Sequence, residues 1–325
     1  MLKLFLLPLL LLFTACDSDK KSSPKITINT NNTFNTPPLL EYTQKDDEKL
    51  FSFNIVKGQT QILEGNKTTT YGYNGSLLGP TIKISRDEKI KFKITNKLDE
   101  TTTVHWHGMH LPAIMDGGPY QMIHPNTSWE PHWKINNAAS TLWYHPHLMG
   151  KTGEHVYRGL AGFFLIEDEH SKSLAIPQSY GVDDFPVVLQ DRRLDAENQL
   201  LYKTNTHDIM GMKGETFIVN GVVNPNLVTT AKIIRLRLLN GSNARIYNLG
   251  FEDNTSFYQI ASDGGFLENP VALTRLLLGP AERAEILIDA TKLNQKVLSL
   301  MNLSNEYYTA KYEEHLYGNV ITEFK

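Results

Sequence analysis

Apolar and charged positions alternate strictly over Lys89-Ile90-Lys91-Phe92-Lys93-Ile94. Successive side chains of an extended strand point to opposite faces, so this period of two predicts a strand with one buried and one solvated face. The pattern returns in Arg235-Leu236-Arg237-Leu238 and in Glu285-Ile286-Leu287-Ile288. Turn pairs such as Asn74-Gly75, Gly79-Pro80, Asn220-Gly221, Asn240-Gly241 and Gly264-Gly265 separate such runs. Amphipathic helical periodicity is weak throughout. Short alternating strands between Gly, Pro and Asn predict an all-β chain built from β-sandwiches.

A faint repeat divides the chain. Asn74-Gly75, Pro80 and a strand ending at Thr95-Asn96 are echoed by Asn220-Gly221, Pro225 and a strand ending at Leu239-Asn240. Two copies of one sandwich topology are expected, over residues 39–170 and 171–325, with the boundary region between Asp168 and Asp184. Ahead of them lie two segments of another kind. Residues 1–16 hold one basic residue, an apolar run from Leu4 to Phe13 and then small residues, the anatomy of a secretion signal and too short to span a bilayer. Residues 17–38 are rich in Ser, Thr, Asn, Lys and Pro, a composition that predicts a flexible tether.

Composition narrows the chemistry. The chain has 325 residues and a formal net charge of −3, and no basic run is longer than Lys20-Lys21, so no nucleic-acid partner is expected. The one cysteine, Cys16, closes a stretch resembling a bacterial lipobox, with Phe13 departing from the usual Leu. Cys16 is thus a candidate lipidation site, and a plain signal cleaved near Ala15 is the alternative. In either case the mature protein is exported, periplasmic or cell-envelope, and meets a membrane only through a lipid anchor. If Cys16 carries lipid no free thiol remains, which excludes a disulfide framework, a cysteine-based zinc site and a thiol nucleophile. No Gly-x-Ser-x-Gly, phosphate loop, Gly-x-Gly-x-x-Gly or His-Glu-x-x-His occurs.

Of the 11 histidines, His105 with His107 and His145 with His147 form His-x-His pairs. Residues two apart share a strand face, so each pair can aim two imidazoles at one point. Two such strands side by side offer four neutral nitrogen donors, a set suited to copper, zinc, iron or nickel, and copper is the reading taken here. Two strand faces that are polar by chance would give the same pattern. His110, His124, His132, His155, His170, His207 and His315 are read as surface or hydrogen-bonded residues. Trp106, Trp133, Trp143 and Tyr144 are read first as packing groups, with an electron relay as the alternative.

These residues also carry a family resemblance. His105-Trp106-His107-Gly108, Met115-Asp116-Gly117-Gly118-Pro119, Trp143-Tyr144-His145-Pro146-His147, Gly150-Lys151-Thr152-Gly153 and Gly159-Leu160-Ala161-Gly162 together resemble the first domain of multicopper oxidases, nearest to bacterial periplasmic cuprous oxidases. The likeness continues through Leu239 to Arg245 and Ala261 to Gly265. It implies tandem cupredoxin-like Greek-key sandwiches and a trinuclear copper centre that reduces dioxygen to water. It assigns His105 to type 2 copper, His107 and His145 to one type 3 copper and His147 to the other. Asp116 matches an acidic residue that assists proton delivery, the one catalytic assignment, and a turn aspartate before Gly117-Gly118 is the alternative.

The chain departs from that family in two ways. No His-Cys-His stretch supplies the thiolate of a type 1 copper, and no third cupredoxin domain supplies the remaining histidines. Three readings stay open: the amino-terminal part of a split or truncated oxidase, a half that docks with a separate cupredoxin chain, and a non-catalytic scaffold or binding protein of the cell envelope. Retention of all four histidines argues against the scaffold. For the oxidase readings the partners are dioxygen and a small reducing substrate, with cuprous ion, ferrous ion and phenols all open.

Overall fold

The computed structural model describes residues 32–203, Asp208, 211–293 and 297–304, and the backbone of 319–324. The expected signal segment, Cys16, His207 and His315 lie outside the described residues.

Two β-sandwiches follow one another. In the first, one sheet runs Tyr42–Lys45, Glu48–Thr60, Lys89–Asn96, Ser128–Trp129, with Thr68–Tyr73 beside the second strand and His132–Lys134 beside the third. Its partner sheet runs Ile82–Ser85, Gly162–Glu167, Ser140–His145, His105–His107. In the second sandwich, one sheet runs Thr216–Val219, Asp184–Arg192, Ile233–Asn240, Arg283–Asp289, Phe257–Ser262, Gly265–Leu273. The other runs Asn226–Leu227, Asn319–Phe324, Leu298–Asn302, Tyr247–Phe251, Leu276–Leu278. The all-β architecture with two tandem sandwiches is therefore as expected.

Strand pairing bears out the repeat. Glu48–Thr60 lies parallel to Lys89–Asn96, as Asp184–Arg192 does to Ile233–Asn240. Asn96 and Asn240, at the ends of those strands, do the same work. Each is fully buried, and its Oδ1 accepts from the amide two residues on, Leu98 or Ser242. Each Nδ2 donates to two carbonyls, those of Glu100 and Ile123 or of Arg245 and Leu278. A buried amide that satisfies three backbone groups fixes a corner which an apolar residue could not.

Two expectations need correction. Residues 32–38 are not a tether. Asn226 exchanges backbone hydrogen bonds with Asn32 and Phe34, and Phe34 packs edge-to-face on Phe185 in the second sandwich's core. A polar average over the segment concealed one large apolar side chain with a place to go. The alternating strands at 235–238 and 285–288 also differ from the half-solvated form expected. Lys89–Asn96 does turn its lysines outward, but Arg235, Arg237 and Glu285 are each at most 4% exposed. Their polar face is covered by the first sandwich.

That covering places the site. The sheet holding His105–His107 turns Leu142, Tyr144, Phe164 and Ile166 into its own sandwich core. Its other face sets Trp143, Phe163 and Leu165 against Val188 and Leu239 of the second sandwich. Ser140–His145 is consequently buried along its whole length, while His105–His107 forms the edge.

Candidate metal centre

The two histidine-bearing strands pair antiparallel, with His105 opposite His145, Trp106 opposite Tyr144 and His107 opposite Trp143. Parity then sorts the side chains. Trp106 and Tyr144 enter the first core, where Trp106 packs on Phe92 at 4.5 Å and Trp133 at 5.1 Å between ring centroids. His105, His107, Trp143 and His145 share the opposite face. Trp143 stacks on His145 with centroids 4.0 Å apart, so its packing role holds.

Nitrogen atoms of His105, His107 and His145 lie within 4.8 Å of one another, the one such cluster among the described residues. The His147 ring centroid is 5.1 Å from that of His105 and 6.1 Å from that of His145. It stands outside the tight trio because the ladder ends at His145, and its side chain is exposed. His110, His124, His132 and His170 are exposed, and His155 is buried with Nδ1 3.0 Å from the Thr102 hydroxyl, so these five stay apart from the cluster.

Neighbouring groups set the tautomers. His105 Nδ1 lies 3.0 Å from the Asp116 carbonyl and 3.2 Å from its Oδ1. His145 Nδ1 lies 2.7 Å from the Pro146 carbonyl. Nitrogens facing such acceptors are assigned the proton, which leaves Nε2 of each ring as the acceptor nitrogen. His145 Nε2 is 3.1 Å from His107 Nδ1. Burial, with the charge of Arg283 and then His105 adding to it, lowers the His107 pKa to about 4. Burial likewise drives His145 well below the ordinary imidazole value. Both rings are thus neutral near pH 7, as metal ligands must be.

Asp116 closes the one-turn helix Ala113–Met115 and is half-exposed. The Trp106 indole N–H donates to the Met115 carbonyl at 3.1 Å, which lashes this turn to the histidine strand. Gly117 completes the contact, with φ +71° and its backbone pressed against the Val104 carbonyl. Asp116 therefore sits in a turn and touches His105 as well.

Two neighbours were not visible in the motifs. Arg283 reaches across from the second sandwich, donating to the Thr141 carbonyl at 3.0 Å beside Gly108. Thr103 accepts a hydrogen bond from the His147 amide at 2.6 Å. Arg283 left no local signal, whereas carrying the strand register past Pro146 would have brought Thr103 opposite His147.

Known proteins resemble this chain in sequence and fold. A family model described as multicopper oxidase matches residues 54–171. Multicopper oxidase mco of Staphylococcus haemolyticus is 43% identical over 267 residues, covering 82% of this chain and 59% of that protein. The crystallised laccase of Pediococcus acidilactici superposes with a TM-score of 0.82 at 37% identity, covering 90% of this chain and 61% of that one. The chain belongs to the multicopper oxidase family. Another relative, cell division protein FtsP of Xenorhabdus nematophila, is 43% identical over 257 residues, covering 79% of this chain and 53% of that protein. The chain thus spans little more than half the length of these curated relatives.

Membership of the multicopper oxidase family implies copper, and the residues present fit it. Neutral imidazoles converge, braced by a carboxylate and backbone carbonyls on the Nδ1 atoms of His105 and His145.

Proposed function

We propose that residues 1–325 carry one wall of a trinuclear copper centre of an oxygen-reducing oxidase. The convergence of three imidazoles on one strand face carries this reading. His105 would hold the type 2 copper, His107 and His145 one type 3 copper, and His147 the other. Copper held by these residues would supply one-electron redox chemistry toward dioxygen.

The chain's own residues orient and protonate. Pro146 and Asp116 carbonyls turn the His145 and His105 rings so that Nε2 faces the site. Trp143 shields one face of His145 from water. Asp116 would take a proton from solvent and release it toward the centre, a role supported by its half-exposed carboxylate 3.2 Å from His105 Nδ1. Four imidazoles and no thiolate leave electron entry and the remaining donors to a cupredoxin domain outside residues 1–325, in the same polypeptide or another. Export through residues 1–16, with lipid on Cys16, would put the centre in the cell envelope. Among the described residues no helix is long and apolar enough to cross a membrane.

The test is oxygen consumption with cuprous ion or a phenol. Copper-loaded residues 1–325 alone are expected to consume none, and adding a cupredoxin chain that bears a His-Cys-His stretch is expected to start it. Turnover by residues 1–325 alone would overturn the proposal. Likeness to the cell division protein favours a second reading, an envelope scaffold, and a chain that binds no copper even with its partner would favour that one.

A further inference from the structure

We propose that Thr103 is a positioning residue for His147, holding it in register with the other three histidines where the strand ladder cannot. The ladder runs from His107 opposite Trp143 to His105 opposite His145. The same register, continued, sets Val104 opposite Pro146 and Thr103 opposite His147. Proline has no N–H to donate, so pairing stops there. The next amide, that of His147, bonds instead to the Thr103 hydroxyl at 2.6 Å. A side-chain oxygen thus stands where a ladder carbonyl would have stood. The His147 imidazole takes no part in that bond and remains open to a metal.

Thr103 is suited to the task because it cannot move. It is fully buried. Its neighbour Thr102 exchanges backbone hydrogen bonds with Ile123, at 3.2 and 2.8 Å. The Thr102 hydroxyl lies 3.0 Å from Nδ1 of His155, on the helix Thr152–Arg158 that follows His147 in the chain. His155 is itself buried, with Nε2 3.3 Å from the Glu100 carboxylate. The strand end that carries Thr103 is therefore held on two sides, and the exposed His147 takes its place from it.

This inference rests on the copper reading, and its tests separate the two. Residues 1–325 are titrated with copper(II) against a competing chelator, with electron paramagnetic resonance of the bound metal. T103S keeps the hydroxyl, and T103V removes it at similar shape. Wild type and T103S are expected to share affinity and spectrum. T103V should bind about 10- to 100-fold more weakly with a changed spectrum, the usual cost of losing a group that orients a ligand. T103V matching wild type, or T103S and T103V weakened alike, would overturn the inference. Deuterium exchange at the His147 amide of the metal-free wild type needs no variant to fold. Protection is expected there despite the exposed side chain, and exchange at the rate of an unstructured amide would overturn the inference. A wild type that binds no copper would defeat the copper reading, and the amide result would then decide alone whether Thr103 holds His147.

Discussion

At Gly117 a single hydrogen atom is all the structure tolerates. A Cβ there would lie 1.6 Å from the Val104 carbonyl oxygen, and φ is +71°. Gly117→Ala should lose about 1–2 kcal/mol to left-handed strain before the clash is counted. It should also free the Asp116 turn from His105, lowering both the melting temperature and copper affinity. Gly150→Ala is the control, because at φ +74° its Cβ meets nothing within 4 Å. Equal effects from the two variants would contradict the account. The metal site also makes the metal-free chain acid-sensitive. An unfolded imidazole titrates near 6.5 and His107 in the fold near 4, so between those values the unfolded chain binds a proton that the folded chain refuses. Stability should therefore fall as pH drops from about 6.5 toward 4, read as a declining urea midpoint. A flat midpoint would contradict the burial of His107 and His145. The histidines themselves were legible from parity alone, since 105 and 107, or 145 and 147, must share a face. Thr103 and Arg283 were not, because one acts across the ladder and the other from a distant strand.

At the level of elements, the strand Ser140–His145 is held by a buried polar cluster. Thr141 donates to Glu285 at 2.6 Å, and Arg237 bonds Thr141, Glu285 and both oxygens of Asp184. Arg235 pairs with the other oxygen of Glu285. Burial pushes the Glu285 carboxyl upward, yet Arg237 and Arg235 outweigh it and hold the net value below the ordinary range. Its stabilisation is present above the ordinary glutamate pKa and is lost as pH falls below it. Removing Glu285 takes from the buried Arg235 its hydrogen-bonded carboxylate and leaves Arg237 with Asp184 alone, so Glu285→Ala should cost about 3–5 kcal/mol in chemical denaturation. Asp47→Ala, which breaks an exposed pair with Lys89, should leave the midpoint unchanged. The alternation that located these strands says only that two faces differ. It cannot say whether water or a second sandwich covers the polar one, and here the neighbour covers it with complementary charge.

Taken whole, the molecule joins its sandwiches through Leu78, Trp143, Ala161, Phe163, Leu165, Val188 and Leu239. Phe34 adds a stitch from the chain's early residues to the second core. Both ties follow from contacts between positions far apart in sequence, so neither could be read from local pattern, although the repeated sandwich could. An interface this buried should make the sandwiches unfold together. Phe163→Ala should cost about 3–5 kcal/mol and shift one common transition, and calorimetry that resolves two separate transitions would contradict this. The histidine strand at that interface links architecture to chemistry. The direct measurement is copper retained per chain after dialysis against a weak chelator, for wild-type residues 1–325 and for His105→Ala/His145→Ala. Copper should be held by the wild type and lost by the variant. Equal copper in both, or none in the wild type, would contradict it.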